Sequence, residues 1–202
     1  MDNLSKDYLI KLLEKGKRID GRKFDEIRNI EISYDVSKHA EGAARVKIGD
    51  TEVIVGVKLE VGEPFPDKLG EGTIIVGAEM LPLSSSDFEP GPPNVDSIEL
   101  ARVVDRAIRE SKAIDLKKLC IVEGEKVWMA LIDIYTINNH GNLQDASALA
   151  ALAALKQARI PGYDGKKVDY KIKNEKLPIV SLPIECSTAK IKDKLLSDPI
   201  LD

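Results

Sequence analysis

Residues 84–94 contain Glu89-Pro90-Gly91-Pro92-Pro93, a run that can be neither helix nor sheet ladder. Each proline removes a backbone donor and fixes its own φ. The run therefore divides the chain into strand-like patterns before it and an amphipathic helix after it. That helix reads Asp96-Ser97-Ile98-Glu99-Leu100-Ala101-Arg102-Val103-Val104-Asp105-Arg106-Ala107-Ile108-Arg109-Glu110. Asp96 and Glu99 have capping-box spacing and are expected to set its start. Ile98, Ala101, Val104 and Ile108 form an apolar stripe that should face a core. At about 100° per residue, Arg102, Arg106 and Arg109 fall within roughly 60° of one another on a separate stripe. Such planar, permanently charged forks suit the phosphate oxygens of a polynucleotide. They also suit a solvated face laced with ion pairs, since Glu99, Asp105 and Glu110 lie within helical reach.

The remaining periodicity is mixed. Residues 3–16 read as a short amphipathic helix with Leu4, Tyr8, Leu12 and Leu13 on one side. Arg18-Ile19-Asp20-Gly21-Arg22 is a turn. Strands are expected at residues 29–34, 44–48, 51–61 and 73–81, with a hairpin about Gly49-Asp50. Gly56 lies inside the third of these and predicts a bulge or a close backbone approach. Loops are expected at residues 62–72 and 138–142, and strands at 119–122 and 127–137 about the turn Glu123-Gly124-Glu125. Residues 144–159 form an alanine-rich helix, small on every side and suited to close burial on a sheet, ended by Pro161-Gly162. Late strands are expected at residues 168–172 and 179–186. No linker, low-complexity tract or repeat interrupts the chain. Strands precede each long helix, so residues 1–202 are read as one α+β domain.

Composition narrows the function classes. The chain is 43% hydrophobic and 32% charged, ordinary for a soluble globular protein with a slight thermophilic lean. Its net charge of −4 argues against a stand-alone nucleic-acid binder, so any RNA contact must use a local basic patch, completed by another chain. With three Phe, five Tyr and one Trp, a base-stacking platform is not expected. Trp128 is read as a core or interface anchor, and Tyr34 and Tyr135 as strand residues. Cys120 and Cys186 are expected to be buried reduced thiols. His39 and His140 have no metal-ligand spacing. Lys166-Lys167 reads as solvated loop charge, and Asp145 as a carboxylate favoured by a helix N-terminus. Residues 1–13 lack an apolar signal core and no run reaches membrane-spanning length, which predicts a cytoplasmic protein.

Several segments together resemble a known family. Leu81-Pro82-Leu83, Phe88-Glu89-Pro90-Gly91-Pro92-Pro93 and Ile98-Glu99-Leu100-Ala101-Arg102-Val103-Val104-Asp105-Arg106 are similar to ribonuclease PH-like proteins. Arg18-Ile19-Asp20-Gly21-Arg22 resembles the family's N-terminal turn, and Gly141-Asn142 the start of its second helix. Within the family the chain resembles the non-catalytic subunit of the archaeal exosome. The resemblance implies a two-layer fold of paired β-rich units with helices packed on the sheets. It implies a six-membered ring, a trimer of heterodimers, in which such a subunit alternates with a catalytic ribonuclease PH-like sister beneath RNA-binding cap proteins. The ring degrades single-stranded RNA from its 3′ end: inorganic phosphate, used by the sister, attacks the terminal linkage and releases a nucleoside diphosphate. Such chemistry calls for cations and helix N-terminal donors that hold phosphate, and for a carboxylic acid that protonates the leaving oxygen.

Catalytic relatives carry Arg-Arg where this chain has Val95-Asp96, and an arginine where it has Leu143. Their late acidic residues are matched between residues 177 and 187 only by Glu185. The resemblance thus implies no catalytic residue and no cofactor in this chain, and it assigns RNA contact to Arg102 and Arg106. Arg109 is left open, since it could pair with Asp105. The family also implies a further strand and a C-terminal helix beyond Asp202, which would leave one side of residues 179–186 apolar and uncovered. Two rival readings stand beside this one: an active phosphate-dependent 3′-to-5′ exoribonuclease, and a translation-associated RNA-binding domain that forms no ring.

Overall fold

A computed structural model describes residues 3–200; the expectations that fall on residues 1, 2, 201 and 202, and on the Leu4 side chain, lie outside what it describes. The chain runs α1 (Asn3–Glu14), β1 (Ile30–Tyr34), β2 (Gly42–Ile48), β3 (Thr51–Gly62), β4 (Thr73–Met80), α2 (Val95–Glu110), β5 (Cys120–Val122), β6 (Lys126–Asn138), α3 (Leu143–Gln157), β7 (Arg159–Tyr163), β8 (Val168–Lys176), β9 (Thr188–Ile191) and β10 (Lys194–Ser197). A 3-10 turn, Leu116–Leu119, precedes β5.

Alternation builds the main sheet. In β3, Val53, Val55, Val57 and Leu59 are fully buried while the residues between them are not. β6 repeats the pattern at Ala130, Ile132 and Ile134. The sheet order is β1-β2-β3-β6-β4, with β5 on the end of β6; only the β4–β6 pair is parallel. A parallel neighbour needs a crossover, and the one between β4 and β6 carries α2. Helices α2 and α3 pack side by side on the apolar face, α2 against β4 and α3 against β2 and β3. The α3 alanines allow the close fit. Ala146, Ala150, Ala151 and Ala154 are fully buried, and a Cβ on Gly42 would collide with the Ala154 carbonyl.

Close approach is thus at Gly42 and not at Gly56. Gly56 pairs in regular register with Ala43 and Asp133, and the irregularity in β3 falls between Glu52 and Val53. Tyr8 is exposed where an apolar side is expected, whereas Leu13 is buried. Trp128 is a core anchor, meeting the Tyr163 ring edge-on at 6.1 Å. Neither cysteine is fully buried: Cys120 is half-buried and Cys186 exposed, both as free thiols.

The C-terminal third departs most from expectation. Pro161-Gly162 do not merely end a helix; α3 stops at Gln157 and these residues lie within β7, paired with β8. Residues 179–186 contain no regular strand, only a bridge from Ile179 to Ile114. The segment runs extended over the helices, with Val180, Leu182 and Ile184 turned outward and exposed. Alternation there reports an apolar side without a ladder partner. The β9–β10 hairpin has no counterpart among the expected strands, because its short lysine-bearing strands carry little alternation. No helix among the described residues is long and apolar enough to cross a membrane.

Candidate nucleic-acid interface

Helix α2 begins two residues before the expected box. Asn94 is the N-cap: its Oδ1 accepts from the Ser97 amide at 2.9 Å, and the Ser97 hydroxyl donates back to the Asn94 carbonyl at 2.9 Å. The reciprocal spacing is the expected one, shifted onto Asn94 and Ser97, and Asp96 becomes a first-turn acid near the helix dipole. The core stripe rotates with it. Ser97, Leu100, Val104 and Ile108 are buried, while Ile98 is 47% exposed and Ala101 only half-buried.

The three arginines separate into two kinds. Arg109 turns back onto its own helix: its Nη2 donates to Asp105 Oδ1 at 2.7 Å and its Nε to Asp105 Oδ2 at 3.1 Å. The same Nη2 donates to the Ile74 carbonyl of β4 at 3.0 Å. Hydrogen bonding to Asp105 raises the Arg109 pKa further above the range where it could lose its charge. Both Asp105 oxygens are then engaged. Arg102 and Arg106 are exposed and, among the described residues, neither makes a hydrogen bond nor an ion pair. The face laced with ion pairs is therefore present only at Arg109. Arg102 and Arg106 lie about 6 Å apart along the helix axis, beside the core stripe and aimed at solvent.

The start of α3 is arranged differently. Gly141 and Asn142 both take positive φ, 81° and 58°, to turn the chain into the helix. Asn142 Nδ2 donates at 2.8 Å to Asp145 Oδ2 and at 2.8 Å to Asp198 Oδ1. Asp145 also receives the Ser187 amide and hydroxyl, so it ties the late segment to the helix beyond its expected dipole role. Arg28 fastens the same corner. It donates to both Asp198 oxygens, to the His140 and Gly141 carbonyls, and to Thr51 Oγ1. Arg22 adds a 2.7 Å bond to Asp198, and Arg18 reaches the Ser197 and Asp198 carbonyls. The Asp198 side chain is 2% exposed. Burial alone would raise its pKa, but hydrogen bonds from Arg28 and Asn142 hold it well below the usual carboxylate range. Sequence pattern does not reveal this cluster. Arg18 to Arg22 reads as a local turn, and nothing local links it to an aspartate 176 residues away.

The resemblance sets Val95, Asp96 and Leu143 against arginines of its catalytic members, and the structure places all three at helix starts. Val95 is 78% exposed and Asp96 adds a negative charge in the first turn of α2. Leu143 is half-buried at the start of α3. Glu185 is half-buried with Oε2 enclosed and without a hydrogen-bond partner. Burial, helped by the nearby Asp145 charge, pushes its pKa up. Lys166 and Lys167 sit in a turn closed by their amides on Asp164, and Tyr34 and Tyr135 are partly exposed strand residues.

Residues 26–161 match the 3′ exoribonuclease family, domain 1. The chain is 51% identical over 197 residues to the exosome complex component Rrp42 of Archaeoglobus fulgidus, covering 98% of this chain and 74% of that protein. It is 47% identical over 206 residues to the Rrp42 component of Thermococcus kodakarensis, covering 100% of this chain and 76% of that one. Among solved structures it is similar to a chain of the Archaeoglobus fulgidus exosome with RNA bound to the active site, with a TM-score of 0.90 and 50% identity, covering 98% of this chain and 76% of that one. A chain of an archaeal exosome core superposes with a TM-score of 0.84 at 46% identity, covering 98% and 74% of the two chains. With a ribonuclease PH-type α+β fold, an arginine helix on its sheet and matches across nearly its whole length, this chain belongs to the 3′ exoribonuclease family.

Proposed function

We propose that this protein is a non-catalytic, RNA-holding subunit of an archaeal-type exosome, a cytoplasmic ring in which it alternates with a catalytic ribonuclease PH-like partner. The observation that carries the reading is the exposed, unpaired pair Arg102 and Arg106 on the solvent side of α2. Two uncompensated guanidinium groups one turn apart hold successive phosphates without reading sequence. The net charge of −4 makes the chain a poor RNA binder by itself, so the pair acts where a partner supplies the rest of the basic surface.

The loss of catalysis follows from charge. Phosphorolysis needs cations around the attacking phosphate, and this chain offers Val95, Asp96 and Leu143 at the matched positions. Arg28, which reaches the start of α3 from the segment before β1, is saturated by Asp198, Thr51 and backbone carbonyls. Glu185 is the one acid at the place where relatives carry theirs, and no cation among the described residues is paired with it. The partner binds inorganic phosphate and carries out the attack; RNA-binding cap proteins deliver the strand.

Purified chain, catalytic partner and their mixture, each given single-stranded RNA and inorganic phosphate, test the reading. The mixture forms one stable assembly that releases nucleoside diphosphates, and the chain alone releases none. Phosphate-dependent release by the chain alone, abolished by one substitution within it, supports the active-exoribonuclease reading instead. Two separate monomers at micromolar concentration overturn the ring.

A further inference from the structure

We propose that the RNA track on α2 continues past the C-terminus of that helix into a basic cleft, where Lys112, with Lys68 and Lys117, holds further phosphates of the same single strand. This rests on the reading above that Arg102 and Arg106 hold RNA. The cleft, of about 610 Å³, opens between the end of α2, the loop that follows β3 and the 3-10 turn before β5. Arg109, on the arginine stripe, forms part of its wall, so cleft and stripe are continuous.

Charge in the cleft is uneven. Its lining carries Lys68, Arg109, Lys112 and Lys117 against Glu71 and Asp115. Arg109 is neutralised by Asp105 at 2.7 Å. Lys68 faces Glu71 only at 3.9 Å, and Asp115 is drawn to Lys118, also at 3.9 Å. Lys112 and Lys117 are exposed and have no ion-pair partner among the described residues. The carbonyl end of a helix repels anions. The cleft can therefore attract a polyanion only through these lysines.

Lys112 shares a positive φ with Asp35, Asn142, Lys192 and Asp198, and of these it alone lines the cleft. It follows the C-cap Ser111 and takes φ 52°, closing the helix through Lys112 N to Arg109 O at 3.1 Å and Ala113 N to Ile108 O at 3.0 Å. This left-handed position after a helix is the one glycine fills at no steric penalty. A lysine side chain at helix ends commonly returns to bond the last carbonyls, but among the described residues the Lys112 ammonium makes no such bond. At 1.5 Å per residue, Arg102 and Arg106 lie roughly 6 Å apart along the helix axis, and Lys112 comes two residues past the end of the helix.

Lys112→Gly separates a phosphate-holding lysine from a helix terminator, because glycine suits the backbone better. The variant is assembled with the catalytic partner. Binding of a single-stranded oligouridylate is measured without inorganic phosphate, from about 50 to about 200 mM salt. The thermal midpoint stays or rises, while the slope of log affinity on log salt falls by about 0.7 for each phosphate no longer neutralised, so the loss of affinity across that range shrinks about threefold. Lys112→Arg retains the wild-type slope. Lys117→Ala, at an exposed site, flattens the slope in the same direction and guards against any assembly defect in the first variant. Unchanged slopes in Lys112→Gly and Lys117→Ala, with a flattened slope in Arg102→Ala/Arg106→Ala, overturn the cleft and leave the helix reading standing. Unchanged slopes in all three overturn both.

Discussion

The molecule holds two sets of arginines that composition cannot tell apart. Arg18, Arg22 and Arg28 converge on Asp198 and on nearby carbonyls, and their side chains are at most 12% exposed. Arg102 and Arg106 stand in solvent with no partner among the described residues. In the first set every donor that matters is answered by the chain itself, so the charge closes the fold: it ties the turn before β1 to the residues after β10. In the second set nothing is answered, so the charge is available to a ligand. Arg109 shows that the division does not follow helix position. It shares a stripe with Arg102 and Arg106, yet belongs by its bonds to the first kind. Satisfaction of the guanidinium, and not its presence in a motif, separates a structural arginine from one left free for a ligand.

The largest effect is expected in the closed set. Asp198→Asn leaves Arg28 buried without its anion and Arg22 with Asp20 as its one remaining carboxylate, and breaking such a buried pair destabilises by about 3–5 kcal/mol. A thermal or urea melt reads this, and a change below about 1 kcal/mol would remove the distinction drawn above. The sign with pH follows from the depressed Asp198 pKa. Its stabilisation is present above the ordinary aspartate value near pH 4 and is lost as pH falls toward the folded value. The wild type therefore shows an acid-dependent loss that Asp198→Asn lacks.

Next comes the open set. Arg102→Ala/Arg106→Ala should keep the melt within about 0.5 kcal/mol per site, as surface changes do. RNA binding by the assembled complex should weaken across sequences, with the salt slope flattened by up to about 0.7 per phosphate set free. Degradation should slow through poorer substrate retention. An unfolded double variant would place these arginines with Arg18 and Arg28. Arg109→Ala sharpens the boundary. It removes a half-buried i, i+4 pair worth about 0.3–0.5 kcal/mol and should leave the salt slope as it was. The smallest effect is expected at Glu185→Gln. The raised Glu185 pKa means its contribution is present below the ordinary glutamate value and lost as pH rises through the folded value. The glutamine variant should hold its stability better from mildly acidic to neutral pH, and a melt series across that range checks it.

Much of the fold is legible because its signals are local. Alternation in residues 51–61 marks β3, the proline run places the start of α2 within two residues, and alanine density foretells how closely α3 packs. The Arg102 and Arg106 face is equally legible, since helical spacing is a property of the chain alone. At residues 179–186 apolar alternation suggests a strand, but Val180, Leu182 and Ile184 face outward, and the pattern does not tell whether a ladder partner exists. Pro161 and Gly162 read as helix terminators because each disfavours a helix interior, yet β7 is a short strand with an irregular register that accommodates them.

What the sequence determined by itself was therefore everything that depends on spacing: the strand and helix periods and the arginine stripe. What only the tertiary structure decided was which charges are answered. Asp105 could have met Arg102 or Arg109, and Asp198 could have been a solvated acid near the end of the chain. Packing of α2 beside Ile74 gave Arg109 a second acceptor and drew Asp105 with it. Closure of the β9–β10 hairpin brought Asp198 to Arg28 across 170 residues. Periodicity is carried by neighbours a turn away, whereas a charge finds its partner by distance in space, and that distance exists only once the chain has folded.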